Sequence, residues 1–237
     1  MNKKDFRFKQ FTVSDFEQIG MPVSTDGVLL GSWAFQSAPD SLLDIGTGSG
    51  LLALMCAQRF NLTDITAIDI EPAATHTAQK NFIASPWQKR LKAVLGNILD
   101  MDFQIQFDAI ICNPPYFTSG EQAHNKQRAT ARHTNTLDHN ELIATLDRLT
   151  APNAKAAFIL PKVEGEVFIN LAKHHGWQVS RLCSVKPSEK KPVHRLMFEL
   201  IQTKNEIIPQ LESLIIHELQ GYSAEFIALT HEFYLKM

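Results

Sequence analysis

Three glycines in five residues, Gly46, Gly48 and Gly50, stand between a short apolar run at 41–45 and a helix-like stretch at 51–59. Glycine at such a junction lets the chain turn tightly from strand into helix and lets another molecule come close to the main chain. That arrangement belongs to the crossing point of a doubly wound α/β sheet. The rest of the chain keeps the same alternation. An apolar run at 65–70 precedes a helical stretch at 72–84, where Pro72 suits a first turn and Glu71 lies near its positive end. Runs at 90–95 and 107–112 read as buried strands. A long polar stretch at 118–138 follows, and then a helix (140–149), a strand (156–160), a helix (163–175) and strand-like runs at 179–185 and 196–201. A run at 214–217 and a helix at 223–234 end the chain. Right-handed crossovers between such strands predict a mostly parallel sheet covered on both faces.

A chain of 237 residues could form one large α/β domain or two small ones. No repeat, low-complexity tract or Gly/Ser linker divides it, so a single domain over 1–237 is expected, with an N-terminal segment at 1–38 and a C-terminal extension at about 203–237. Apolar runs such as 156–160 are far shorter than the ~20 residues that cross a bilayer. The basic N-terminus lacks the apolar core of a secretory signal, and the expected location is the cytoplasm. Cys56, Cys112 and Cys183 are widely spaced among apolar neighbours, which suits reduced core side chains rather than bridges or a metal site. No metal is expected.

The net charge of −2 argues against nonspecific affinity for nucleic acid, but its distribution argues the other way. Segments 1–10, 122–134 and 186–195 each carry +3, which leaves −11 for the remainder. Basic stretches on an acidic body suit focused binding of a polyanion; they equally suit solvated loops.

The chemistry begins at the glycine turn, Asp44-Ile45-Gly46-Thr47-Gly48-Ser49-Gly50. Asp69 ends the next strand, 19 residues after Gly50, where a carboxylate can accept both ribose hydroxyls of a nucleoside cofactor. The pair fits NAD as well as S-adenosylmethionine. Two details favour the second: the spacing is G-x-G-x-G, and Asp44 precedes it inside the strand. Asn113-Pro114-Pro115-Tyr116 then follows the fourth strand, where two prolines stop any regular element. An adenine or glutamine amino nitrogen is a poor nucleophile because its lone pair is delocalised. If the Asn113 side-chain carbonyl and the Pro114 main-chain carbonyl both accept its N–H groups, they favour tetrahedral nitrogen and stabilise its developing positive charge. Tyr116 offers a ring on which a planar target can stack.

In this order, DIGTGSG, the strand-end acid of AIDI and NPPY resemble the class I amino-methyltransferases of the NPPY group. FRFKQF, MPVSTDGVLLGSW, RATARHT, KKPVHR and the terminal YSAEFIALTHEFYLKM extend the likeness over nearly the whole chain, to the bacterial tRNA(Val) adenine-N6 methyltransferase family. The resemblance implies a seven-stranded, Rossmann-like sheet and methylation of the adenosine just 3′ of the anticodon, with S-adenosylmethionine as cofactor and tRNA as partner. It implies that Gly46, Thr47, Gly48 and Gly50 line the methionine and ribose, that Asp69 holds the ribose hydroxyls, and that Ile70 and Ile98 sandwich the cofactor adenine. Asn97 would read the adenine edge through its carbonyl oxygen, where many relatives have Asp. Thr25 and Asp26 fall in the family's N-terminal cofactor segment and equally suit a helix N-cap. Lys126, Arg128, Arg132, His133, Lys190, Lys191 and Arg195 are the expected RNA contacts; His133 and His194 are assigned to RNA contact or packing rather than acid–base work.

Rival readings keep the chemistry on a protein glutamine, an rRNA base or a DNA adenine, use the glycine turn for a nicotinamide oxidoreductase, or make the chain a noncatalytic RNA-binding module. The basic segments disfavour glutamine, and the lack of a separate recognition domain disfavours sequence-specific DNA work. NPPY is unexplained by an oxidoreductase, and the intact Asn113 and Asp69 argue against a noncatalytic module.

Overall fold

In the computed structural model, residues 5–17, 19, 23–114, 138–219 and 221–237 are described. A short hairpin, β1 (Asp5–Arg7) and β2 (Thr12–Ser14), opens the chain. Then come α1 (Thr25–Trp33), β3 (Ser41–Ile45), α2 (Leu51–Arg59), β4 (Asp64–Asp69), α3 (Pro72–Ile83), β5 (Leu91–Leu95) and β6 (Phe107–Cys112). The second half holds α4 (His139–Leu149), β7 (Thr150–Pro161), α5 (Lys162–His174), β8 (Trp177–Ser188), β9 (Arg195–Gln202), β10 (Gln210–Glu218), β11 (Gly221–Tyr222) and α6 (Ala224–Thr230).

The main sheet runs β11-β10-β8-β9-β7-β6-β3-β4-β5. Its middle follows the expected doubly wound pattern: β3 lies between β4 and β6 with all three parallel, β5 and β7 continue outward in parallel, and β9 is antiparallel to both neighbours. Among the described residues the sheet has nine strands rather than seven, because the C-terminal extension adds β10, parallel to β8, and the two-residue β11. This covers the β8 edge, whose unpaired main chain would otherwise invite another chain. The closing helix is shorter than the apolar pattern suggests. Ser223 caps α6 by accepting from the Phe226 N–H at 3.0 Å, and the helix ends at Thr230, after which Phe233 turns inward and is buried.

Both faces of the sheet carry a core, as two-sided winding requires. On one side α1, α2, the hairpin residues Phe8, Phe11 and Val13, and Phe226 of α6 pack together; on the other, Leu142, Ile143 and Leu146 of α4 meet Phe168 of α5 and Phe158 and Phe198 of the sheet. α2 is apolar almost all round and buried along seven residues, as a helix wedged between other elements must be. The three cysteines are buried and free. Among the described residues, no helix is long and apolar enough to cross a membrane.

One polar feature ties the sheet to α1. Glu199, fully buried on β9, accepts from Arg181 Nη1 at 2.6 Å and from the Phe35 N–H at 2.8 Å, while Arg181 also pairs with Glu212 of β10 and lies over the Trp33 ring at 4.2 Å. Buried charges in such a cluster need every partner, since removing one strands the other.

Candidate active site

Ile45, Ile68 and Cys112 are register partners at the ends of β3, β4 and β6. Asp44, Asp69 and Asn113 therefore leave three adjacent strands at one edge. From β3 the chain proceeds outward first on the β4 side and later on the β6 side, so a crevice opens where the winding reverses, the usual binding position in open α/β sheets.

The turn between β3 and α2 uses its glycines in two ways. Gly46 and Gly48 have φ of 71° and 56°, and a Cβ on either would meet nothing within 4 Å. Both face open space, the kind of cradle that a ligand fills. Gly50 also has positive φ, but a Cβ there would come within 2.5 Å of the Phe82 ring. It caps α2 and lets α3 approach, so its Cβ direction is filled by Phe82, unlike Gly46 and Gly48, with which the resemblance groups it along the methionine and ribose. The main-chain donors are also largely engaged. The Gly46 and Thr47 N–H groups donate to the Ile68 carbonyl at 2.9 and 3.1 Å, and the Gly50 N–H to Thr47 at 2.9 Å. What the turn offers a ligand is room more than free main-chain donors.

Asp69 is fixed by that turn. One carboxylate oxygen accepts from the Gly48 N–H at 2.8 Å and the other from the Glu71 N–H at 3.0 Å. Each oxygen keeps further acceptor capacity for a diol. Asp44 is fully buried; one oxygen accepts the Thr47 hydroxyl at 2.6 Å and the other has no partner. Burial pushes its carboxyl up to about 7, helped by the nearby Asp69 charge and opposed by the Thr47 hydroxyl and the Ala53 N–H at the start of α2.

Next to β4, the Gly96 N–H donates to the Asp69 carbonyl at 3.0 Å, which brings Asn97 beside the same crevice. Asn97 Oδ1 accepts from the Leu99 N–H at 3.1 Å and Nδ2 donates to Asp100 Oδ2 at 2.9 Å. The second bond explains the amide: an aspartate here would set two carboxylates against each other. Oδ1 keeps one lone pair for an incoming donor. Ile70 is 42% exposed and free to cover a flat ligand, whereas Ile98 belongs to the second core.

At the end of β6 the Asn113 side-chain Oδ1 is buried and has no hydrogen-bond partner among the described residues. Buried acceptors are rarely left unsatisfied. Here one stands at the strand end adjoining the glycine turn. Pro115, Tyr116, Lys126, Arg128, Arg132 and His133 lie outside the described residues.

The remaining expected contacts are elsewhere. Ser24, not Thr25 or Asp26, caps α1, accepting from the Gly27 N–H at 3.0 Å; the S-x-x-G spacing was the available sign. Asp26 accepts from Arg195 Nε at 2.8 Å, and the Arg195 side chain is only 16% exposed. Arg195 thus ties the start of β9 to α1 and is not an open phosphate grip. Lys190 and Lys191 are exposed in the turn between β8 and β9. Among the described residues, no group of three or more His, Cys, Asp or Glu is placed to hold a metal ion.

The fold and the sequence both have known counterparts. Residues 28–141 match the Methyltransferase small domain family. A crystal structure from Agrobacterium tumefaciens described as a predicted O-methyltransferase superposes with a TM-score of 0.67 at 16% identity, covering 88% of this chain and 96% of its own. A methyltransferase from Pyrococcus furiosus gives 0.58 at 20% identity, over 77% and 85%. At these identities the likeness is one of fold. In sequence, the tRNA1(Val) (adenine(37)-N6)-methyltransferase of Vibrio parahaemolyticus is 55% identical over 99% of this chain and 97% of its own length. Its counterpart in Photobacterium profundum is 49% identical over 99% of each. With identity of this extent along the whole length, the chain belongs to the tRNA1(Val) (adenine(37)-N6)-methyltransferase family.

Proposed function

We propose that this chain transfers a methyl group from S-adenosylmethionine to the N6 amino group of adenosine 37 of tRNA1(Val), the reaction for which its relatives are named. The observation that carries the proposal is the buried, unpartnered Asn113 Oδ1 at the strand end beside the glycine turn.

The residues fit the cofactor. Gly46 and Gly48 leave open space, Asp69 is held with acceptor capacity to spare, and Asp44 has a buried oxygen without a partner. In this reading Asp69 holds the ribose hydroxyls, Ile70 covers one face of the cofactor adenine, Ile98 backs the other, and Asn97 Oδ1 accepts from its amino group. S-adenosylmethionine, when bound, supplies an electrophilic methyl carbon on a sulfonium. The protein's own task is to make the target nitrogen receptive. Asn113 Oδ1 and the Pro114 carbonyl accept its two N–H groups, which draws its lone pair out of the ring system and counters the charge it gains. Tyr116 stacks on the target base, and Lys126, Arg128, Arg132, His133, Lys190 and Lys191 meet the RNA.

The test is transfer of label from S-adenosylmethionine to tRNA1(Val) transcript, followed by digestion to nucleosides. The expected product is N6-methyladenosine, and it should disappear when the adenosine at position 37 is replaced. Label on a protein glutamine or on DNA, with none on tRNA, would overturn the proposal.

Asp69→Ala should weaken S-adenosylmethionine binding by about 1.5–3 kcal/mol, or roughly tenfold to a hundredfold, because a charge-assisted bond is lost. Calorimetric titration measures this. An unchanged affinity would remove Asp69 from the site.

A further inference from the structure

The C-terminal extension builds a second concavity that the glycine turn, Asp69 and Asn113 do not use. It is a cleft of about 320 Å³ between α1, the ends of β8 and β10, the start of β9, and α6. Thr25, Val185, Pro187, His194, His217 and Tyr222 are among its walls, with Phe226 and Tyr234 beneath. Because β8 and β10 run parallel to each other and in the same sense as β7 and β6, the cleft opens on the same edge of the sheet as Asn113.

Five of its lining residues carry aromatic rings: His194, His217, Tyr222, Phe226 and Tyr234. His217 stacks on Tyr222 with centroids 5.1 Å apart and planes at 28°, and Tyr222 stacks on Phe226 at 4.6 Å and 20°. Phe226 continues to Tyr234, which meets Phe8 of the hairpin end. The inner part of this column is ordinary core, since Phe226 and Phe8 are buried. The outer part is not: Tyr222 is 48% exposed and His217 is exposed, so neither ring gains much by packing. His217 is nonetheless held in place, its Nδ1 3.2 Å from the Pro187 carbonyl, the acceptor of that bond. Charge surrounds the rings. His194 is exposed in the cleft, and Lys190 and Lys191 project from the turn that joins its Pro187 and His194 walls. Asp26, the acid inside the cleft, pairs with Arg195, and Glu189, Glu218 and Glu225 neighbour its walls.

Oriented, part-exposed aromatic rings beside lysines and histidines are what unstacked bases and their phosphates bind, and unpaired loops are where proteins read RNA. We propose that this cleft is a docking subsite for an unpaired nucleotide of the RNA substrate other than the one methylated, its base against Tyr222 and His217 and its phosphate toward Lys190 and Lys191. The inference rests on the tRNA reading above. It gives the C-terminal extension a task, which is to hold the RNA while Asn113 engages the target.

The experiment measures equilibrium binding of tRNA1(Val) transcript to the full chain carrying Tyr222→Phe, Tyr222→Leu or Tyr222→Ala, with S-adenosylmethionine affinity as the control for an intact fold. Leu keeps an apolar contact with Phe226 without a stacking face. Tyr222→Leu and Tyr222→Ala should weaken RNA binding between about fivefold and a hundredfold and raise KM for tRNA, while kcat at saturating tRNA and cofactor affinity stay at wild-type values. Tyr222→Phe should bind as wild type. Wild-type RNA affinity in Tyr222→Leu, an equal loss of cofactor affinity, or a change in self-association by sedimentation in place of a change in RNA affinity would each overturn the subsite. If wild-type protein neither bound nor methylated tRNA, the functional reading itself would fall, and the subsite with it. Normal methylation with an indifferent Tyr222→Leu would overturn the subsite alone.

Discussion

Asn113→Ala is expected to lower the rate of methyl transfer a hundredfold to a thousandfold while leaving the affinities for S-adenosylmethionine and tRNA near wild type. The reason is a difference between ground and transition states. In the resting substrate the amino nitrogen is nearly neutral, and its bond to Asn113 Oδ1 replaces one to water. As the methyl group arrives, the nitrogen becomes cationic, and the same fixed oxygen then interacts far more strongly, so its effect falls on the rate rather than on binding. The loss of one preorganised partner of this kind costs about 2.7–4 kcal/mol. Burial raises the stakes. Asn113 Oδ1 is already buried and has no hydrogen-bond partner among the described residues, so little solvent reorganisation precedes its use. Single-turnover kinetics at saturating cofactor, with tRNA varied, separates the two quantities. Wild-type transfer by Asn113→Ala would refute the role; an equal fall in tRNA affinity would make Asn113 a binding residue instead.

The order of strands in the middle of the sheet was legible because each carries a dense apolar run and each turn after it a distinct signal. β3, α2 and β6 begin and end where the residue pattern places them. Asp69 and Asn113 could be found for the same reason, Asp69 being the last residue of β4 and Asn113 the first after β6. Other features depend on residues far apart in sequence. The pairing of Asp26 with Arg195 joins positions 169 residues apart, and nothing near either marks it. β10 was legible only as the run at 214–217, because its first half alternates imperfectly, with Leu211 largely exposed and Glu212 turned toward Arg181 and Trp33, and nothing marked the two-residue β11. The different uses of the three glycines were also invisible, since spacing alone cannot tell an open Cβ direction at Gly46 from one filled by Phe82 at Gly50. The same holds for the main-chain donors of that turn, whose acceptor, the Ile68 carbonyl, comes from the neighbouring strand.

Asp44→Asn is expected to make the protein more stable at neutral and alkaline pH, by an amount that vanishes in acid. The folded-state carboxyl titrates at about 7, against an ordinary value of 3.8, chiefly because burial disfavours the anion. Below pH 3.8 both folded and unfolded chains carry this group protonated, and it contributes no pH dependence. Between 3.8 and about 7 the unfolded chain releases its proton while the folded chain retains it, so stability falls as pH rises; above about 7 both are ionised and the loss is complete. A shift of this size corresponds to something on the order of 4 kcal/mol. That is a large share of the 5–15 kcal/mol that typically holds a domain together. Asparagine keeps the Thr47 hydrogen bond through its carbonyl and never ionises, so the variant escapes the penalty. Urea unfolding of both proteins across pH 4 to 8 measures it: the two curves should coincide near pH 4 and separate steadily to about pH 7. A constant difference across that range would mean that the Asp44 carboxyl is not held neutral. A residue that weakens the fold at working pH needs a compensating use, and the proposed function gives Asp44 one, as a buried carboxylate beneath the glycine turn. A cation bound above it would draw the carboxyl into its charged form, so the stability gained by Asp44→Asn should come with weaker S-adenosylmethionine binding, measured by titration at pH 8.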